Sequence, residues 1–259
     1  MASVQIPSWL DATKRLDKDN FLTPSGEHLY ASMSKDLAKA SFLLLCLSSL
    51  LKADPLLSIK GALEIVANSV AETGWGQKWV AFNFGGWKIT RGDVDAWKAA
   101  HNGESPPWVM AEGHVASGDA PIVYYRAFNN PNTFFKEWLL RFVPKGKKVG
   151  EHRYAKTGEK FWNGDVAWFE ELCLAGYKGV VTAANPGPSV AAHINITQTI
   201  KPLIAQRLLK VNPDGAWGAG TMKACREFQF DHGLSVTGSL TAETFAKLIE
   251  VWKASGFPL

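Results

Sequence analysis

Cysteine is scarce in this chain. Three residues in 259, Cys46, Cys173 and Cys225, are odd in number and far apart, which excludes a disulfide framework and offers no metal-ligand spacing. Each lies in an apolar helical context, so buried free thiols are expected. The six histidines show no paired ligand spacing, so neither a metal nor another cofactor is expected. With no zinc set and no Cys–His signature, metallopeptidase and thiol-nucleophile chemistry fall away. Long apolar runs are missing too. The most apolar stretch, Ser41–Leu51 (SFLLLCLSSLL), is too short to cross a bilayer and reads as a buried core helix. The opening MASVQIPSWLDATKRLDKDN lacks the charged-then-apolar layout of a signal peptide, which implies synthesis in the cytoplasm and no stable membrane insertion.

Charge of one sign is also in short supply. A net charge of +4 comes from scattered residues, and Lys145–Lys148 (KGKK) is the one basic cluster. No recognition motif accompanies it, so a solvated loop is expected there and nucleic acid is not a partner. The mild positive balance still suits an anionic polymer. Tryptophan is what the chain has in excess: eleven copies, whose flat faces suit sugar rings as well as cores.

The organising stretch is Ala62–Lys88, ALEIVANSVAETGWGQKWVAFNFGGWK. Leu63, Val66, Ala67, Val70 and Ala71 recur at helical spacing on one face, and Gly74 stands where a glycine ends a helix. Glu72 therefore sits in the last turn. A helix C-terminus disfavours a further negative charge, and Trp75 and Trp79 follow closely enough to shield the group. That setting suits a carboxyl that keeps its proton until it can pass it to a leaving sugar oxygen.

Residues 1–30, interrupted by Pro7, Pro24 and Gly26, read as an N-terminal extension. A helix is expected over 32–52, and the Glu72 helix from about residue 57. Residues 84–126 read as loops and short strands, clearest at Ile122–Tyr125, and helical patterning returns at Thr133–Val143 and Asp165–Ala175. The expected class is α+β, mostly α: a two-lobed body over 31–183 with a small β lobe and a groove between the lobes. Residues 184–193 read as a linker on the strength of the stretch Ala183–Ala192 (AANPGPSVAA), and 194–259 as a second compact unit.

With these elements in place, the body resembles the glucosaminidase branch of the lysozyme-like peptidoglycan hydrolases. That family's Glu-Ser-Gly-Trp-Gly appears as Glu72-Thr73-Gly74-Trp75-Gly76. Its Asn-x-Phe-Gly-x-Lys appears more loosely as Asn83-Phe84-Gly85-Gly86-Trp87-Lys88. A β-lobe acid precedes a Phe-Arg-x-Tyr element in the family. Here Glu112 precedes Tyr125-Arg126-Ala127-Phe128, with Phe128 where the family has tyrosine, and the late Ala-Gly-Tyr is Ala175-Gly176-Tyr177. The tail resembles the three-helix peptidoglycan-binding module through Asp214-Gly215, Trp217-Gly218, Thr221, Phe228-Gln229, Gly233-Leu234, Val236-Thr237-Gly238 and Thr244. Most of these matching residues read as turn and core positions.

The resemblance implies cleavage of the β-1,4 glycan strand by an endo-N-acetylglucosaminidase of bacteriophage-endolysin type. Such an enzyme is made in a host cytoplasm, acts on the cell wall and needs no cofactor. Glu72 is the expected general acid, Glu112 the second acid (Glu104 and Asp119 being the alternatives), and Tyr177 an orienting hydroxyl. Trp75, Asn83, Trp87, Tyr125 and Trp108 are the expected substrate-binding residues, with Trp97 as a further possible platform. Trp217, Thr221, Arg226 and Gln229 are the expected wall-binding residues. Peptidoglycan is the expected partner of a monomer. A lytic transglycosylase or muramidase on the same polymer, a secreted effector, a virion-borne enzyme and a non-catalytic wall-binding or virion structural protein remain the competing readings.

Overall fold

The computed structural model describes residues 8, 33–76, 82–85, 87–112, 122–178 and 180–257. Apart from residue 8, the expected N-terminal extension lies outside them, as do Trp79 and Asp119. The described residues form ten helices and one two-stranded antiparallel sheet, a mostly helical architecture. No helix among them is long and apolar enough to cross a membrane.

The first helix, α1 (Lys35–Ala53), begins where the Ser34 hydroxyl accepts from the Leu37 N–H, with Asp36 in the first turn and Lys52 in the last. It carries Phe42, Leu43, Leu44, Cys46, Leu47 and Leu50, all essentially inaccessible to solvent, because neighbours cover it on several sides. After the break at Asp54-Pro55, Ser58 caps α2 (Ile59–Thr73), which buries Leu63, Val66, Ala67 and Val70 against α1.

A helix the sequence did not announce follows: α3 (Arg91–Ala100), inside the stretch read as loops and strands. A capping box nucleates it, with Thr90 and Asp93 each satisfying the other's backbone N–H. Strands β1 (Trp108–Glu112) and β2 (Ile122–Arg126) pair with Trp108 opposite Arg126 and Glu112 opposite Ile122. Residues 87–89 dock along β2 through a Lys88–Tyr125 bridge, an Ile89 N–H to Tyr124 carbonyl bond of 2.9 Å and an Arg126 N–H to Trp87 carbonyl bond of 2.9 Å.

Helix α4 (Pro131–Phe142) packs on α1, placing Phe134, Phe135 and Trp138 in the core, while α5 (Ala155–Trp162) and α6 (Trp168–Leu174) form a packed pair. A short α7 (Val180–Ala184) leads into α8 (Gly187–Leu208). Residues 187–193 of the expected linker are thus helical. Pro186 and Pro188 lie at the helix start, where a missing N–H costs nothing, and the alanines that follow favour helix.

At 22 residues, α8 is about 33 Å long. It packs against α1, α2 and α6 of the body and against α10 (Ala242–Ala254) of the tail. Its C-terminal half, α9 (Ala219–Asp231) and α10 make the three-helix C-terminal unit. One continuous core joins Leu44, Val66 and Trp168 to Ile200, Ile204, Phe245 and Trp252. Leu44, Leu208, Phe228 and Trp252 line a cavity of about 380 Å³ where body meets tail. The three cysteines are buried and unpaired.

Candidate functional site

Glu72 occupies the last turn of α2, and the chain then makes a tight left-handed turn. Gly74, Trp75 and Gly76 take φ of 57°, 65° and 79°. Glycine suits two of these positions; at Gly76 a Cβ would come within 2.5 Å of the Phe42 ring, so no side chain fits. Thr73 contributes a hydroxyl to this turn. It donates to the Ser69 carbonyl at 2.7 Å and accepts from the Gly76 N–H at 2.9 Å, tying the turn to the helix. Trp75 bears the cost of positive φ and lies half-buried, 5.3 Å from the Lys39 ammonium.

Glu72 is partly exposed and accepts a hydrogen bond from the Lys178 ammonium, to which it is ion-paired. Trp79, one of the two expected shields, lies outside the described residues, and the contact made by the carboxylate is with the Lys178 ammonium. A carboxyl engaged in this way serves as an acceptor, so proton donation requires that Lys178 let go.

Beside the pair stands Tyr177, on the turn after α6 where Gly176 takes φ of 83°. The hydroxyl accepts from Asn68 Nδ2 at 2.9 Å. Asn68 is one helical turn before Glu72 on the same face, a spacing that places the two side chains together. Burial, and then the charge of Glu72, push the Tyr177 hydroxyl well above the usual tyrosine range, so it stays a neutral donor. Its ring packs on Phe142 at 4.8 Å and Trp138 at 6.3 Å. A Cβ on Gly85 would lie 3.5 Å from the hydroxyl, which puts the Asn83–Gly85 turn at the same spot. Asn68 and Lys178 were not singled out in the sequence. The four-residue step to Glu72 could have flagged Asn68; nothing local flags Lys178.

The remaining expected residues divide by burial. Asn83 is buried and all its polar atoms bind backbone: Nδ2 donates to the carbonyls of Trp87 (2.9 Å) and Arg126 (3.0 Å), and Oδ1 accepts from the Trp87 N–H (2.9 Å). It fastens the turn to β2 and offers no free atom to a sugar. Trp108 is fully buried in a small separate core with Ile89 and Val94, so it gives no sugar platform. Trp87 is 8% exposed and is flanked by Arg126 at 5.0 Å and Arg141 at 4.4 Å. Tyr125 is half-buried on β2, its hydroxyl pushed up by burial. Phe128 packs against Trp87 and Phe134. The backbone of Glu112 ends β1, and its side chain lies outside the described residues. Glu104 is exposed on a different cavity, near Arg126.

In the C-terminal unit two glutamines repeat one device. Gln206 Nε2 donates to Asp214 Oδ1, the Ala216 carbonyl and Thr221 Oγ1, while Oε1 accepts from the Gly215 N–H. Gln229 Nε2 donates to Thr237 Oγ1, the Ser239 carbonyl and Thr244 Oγ1, while Oε1 accepts from the Thr237 and Gly238 N–H groups. The offsets of 8, 9, 10 and 15 residues coincide, so the unit is a doubled helix–turn–helix with glutamine at each centre. A search for Gln-x8-Gly-x5-Thr would have found it in the sequence.

Gln229 and Thr221 are therefore inward-facing braces rather than wall contacts. Arg226 is exposed, and Trp217 is half-buried with its indole N–H donating to the Gly238 carbonyl at 2.8 Å. Trp217 also lines a recess of about 310 Å³ with Lys201, Pro202 and Leu240.

Residues 202–248 match the family model described as a putative peptidoglycan binding domain. Comparison with curated proteins and with solved structures returns no match. The chain is thus a modular, peptidoglycan-associated protein with its binding domain at the C-terminal end.

Proposed function

We propose that the helical body cleaves the β-1,4 glycan strand of peptidoglycan, as an endo-N-acetylglucosaminidase with Glu72 as general acid, while the C-terminal domain holds the polymer. The observation carrying this reading is the grouping of Glu72, Tyr177, Asn68 and Lys178 where the α2 end, the α6 turn and the Asn83–Gly85 turn meet. A carboxyl, a neutral phenol, an amide and an ammonium meet there although 106 residues separate Glu72 from Lys178.

In this mechanism an arriving sugar displaces the Lys178 ammonium, the unpaired Glu72 carboxylate takes up a proton from solvent, and Glu72 then passes that proton to the glycosidic oxygen as its bond to carbon lengthens. Tyr177, kept neutral, donates to a water or to the substrate's acetamido group. Glu112 at the hairpin end is the second acid. If it stands back with room for water the product inverts, and if it approaches closely a covalent intermediate forms. Endolysin-type action fits a chain that carries its own wall anchor, since anchoring raises the local concentration of strands.

The Lys178 contact also gives weight to a second reading, a wall-binding protein in which the carboxylate is a structural ion-pair partner. Glu72→Gln in the full chain separates the two. Reducing-end release from purified peptidoglycan should fall by about 10²- to 10⁴-fold with wall binding intact. Undiminished release removes Glu72 from the chemistry, and absence of release by the wild type supports the binding protein. Mass spectrometry of the products distinguishes the alternatives within the enzyme class. An anhydro-sugar end identifies a lytic transglycosylase, and a reducing N-acetylmuramic acid end identifies a muramidase.

A further inference from the structure

A second recess of about 360 Å³ lies between α3, the approach to β1 and the segment joining β2 to α4. Arg126, Trp97, Glu104, Ser105, Asn129 and Thr133 are among its lining residues. Arg126 is 4% exposed. Its guanidinium stacks 3.9 Å from the Trp97 ring centroid, with Trp87 at 5.0 Å and Phe128 at 5.4 Å. No carboxylate among the described residues comes within ion-pair distance of it, although the charges of Glu137 and Asp93 act on it from further off, and its Nε is buried without a hydrogen-bond partner. The neighbouring Asp93 is taken at 2.6 Å by Arg141. Burial accordingly lowers the Arg126 pKa to about 10, which still leaves it charged at neutral pH.

A buried arginine is costly unless an anion or a set of acceptors compensates it. Here the aromatic stack positions the guanidinium plane but leaves its Nε donor unanswered. Its backbone is fixed at both ends, by the N–H bond to Trp87 and the carbonyl bond from Asn83, so the fork is presented from a rigid strand end. Glu104 and Asn129, both exposed, mark the mouth.

We propose that this recess is a carboxylate subsite, in which Arg126 receives a free carboxylate of a peptide-substituted sugar through paired N–H donors while Trp97 covers the adjoining apolar surface. The identity of the ligand rests on the peptidoglycan reading above; the demand for an anion comes from Arg126 itself. The subsite favours strands that retain acidic peptide stems over stripped or amidated ones.

The test is equilibrium binding to the full chain by calorimetry, with a soluble muramoyl dipeptide bearing free carboxylates compared with its diamide. The free acid should bind roughly tenfold to hundredfold tighter, the range for hydrogen bonds between charged groups. Arg126→Met should abolish that preference, and so should Asn129→Trp, which fills the mouth from an exposed position if the arginine variant does not fold. Equal binding of acid and diamide by the wild type overturns the proposal, as does a preference that survives Asn129→Trp. Binding is read apart from cleavage. Selectivity without glycan cleavage sinks only the hydrolase reading, and cleavage without selectivity sinks only this subsite.

Discussion

His193 offers a direct measure of how firmly the tail is built into the body. It lies on α8, 6% exposed, stacked on Phe169 at 3.8 Å and edge-on to Trp168, with neither ring nitrogen hydrogen-bonded. Burial, helped by the Lys178 charge, lowers its pKa to about 4. The unfolded chain, with an ordinary histidine pKa of about 6.5, therefore binds a proton between these values that the folded chain refuses. Stability from this group is complete above the unfolded pKa and is lost as pH falls towards the folded one. From about pH 7 to about pH 4.5 the loss is at most about 2.5 kcal/mol, by linkage between those two pKa values.

His193→Phe keeps the ring stack and removes the proton site. At about pH 7 it should be neutral or slightly stabilising, because two unpaired buried nitrogens disappear with it. At about pH 4.5 it should exceed the wild type by up to about 2.5 kcal/mol. Urea unfolding across a pH series, followed by tryptophan fluorescence, gives the difference directly. Other acid-sensitive groups, such as Asp93, are common to both proteins and cancel. Parallel stability–pH curves would refute the burial of His193 and with it the seating of α8 on α6.

Three further outcomes follow from the packing. Gln229→Ala strands the N–H groups of Thr237 and Gly238, which should cost about 3 kcal/mol and lower Tm in calorimetry; an unchanged Tm would show that the repeat is not braced as described. Ending the chain at residue 190 withdraws Ile200, Leu203 and Ile204 from the shared core, a loss of more than about 5 kcal/mol, so the fragment should not unfold cooperatively in thermal melts. A well-folded fragment would show the tail to be merely tethered. Lys178→Met should change stability by no more than about 1 kcal/mol and, by freeing Glu72, raise reducing-end release by up to about fivefold; reduced release from a folded variant would place the ammonium in the cleavage step.

Where hydrophobic period and local caps agreed, the elements were readable. The helices α1, α2, α4 and α6 and strand β2 lie within a few residues of their expected bounds. Helix α3 was hidden because Gly92 and the charges of its first turn look like loop, although the Thr90–Asp93 box that starts it was present in the letters. The expected linker misread proline and alanine as flexibility, whereas at a helix entry both favour order.

The sequence by itself determined that Glu72 ends an apolar helix, since the period of Leu63, Val66 and Val70 and the left-handed Gly74 are local properties. It also determined the C-terminal binding domain, whose turn glycines and glutamines hold their partners within 15 residues. Only the tertiary structure decided what Glu72 meets. Lys178 reaches it, and Tyr177 reaches the neighbouring Asn68, across more than 100 residues, brought there by the packing of α6 on α8 and of α8 on α2. Long-range pairing of that kind leaves no periodic trace in the chain, because it depends on how finished helices pack rather than on how each one forms.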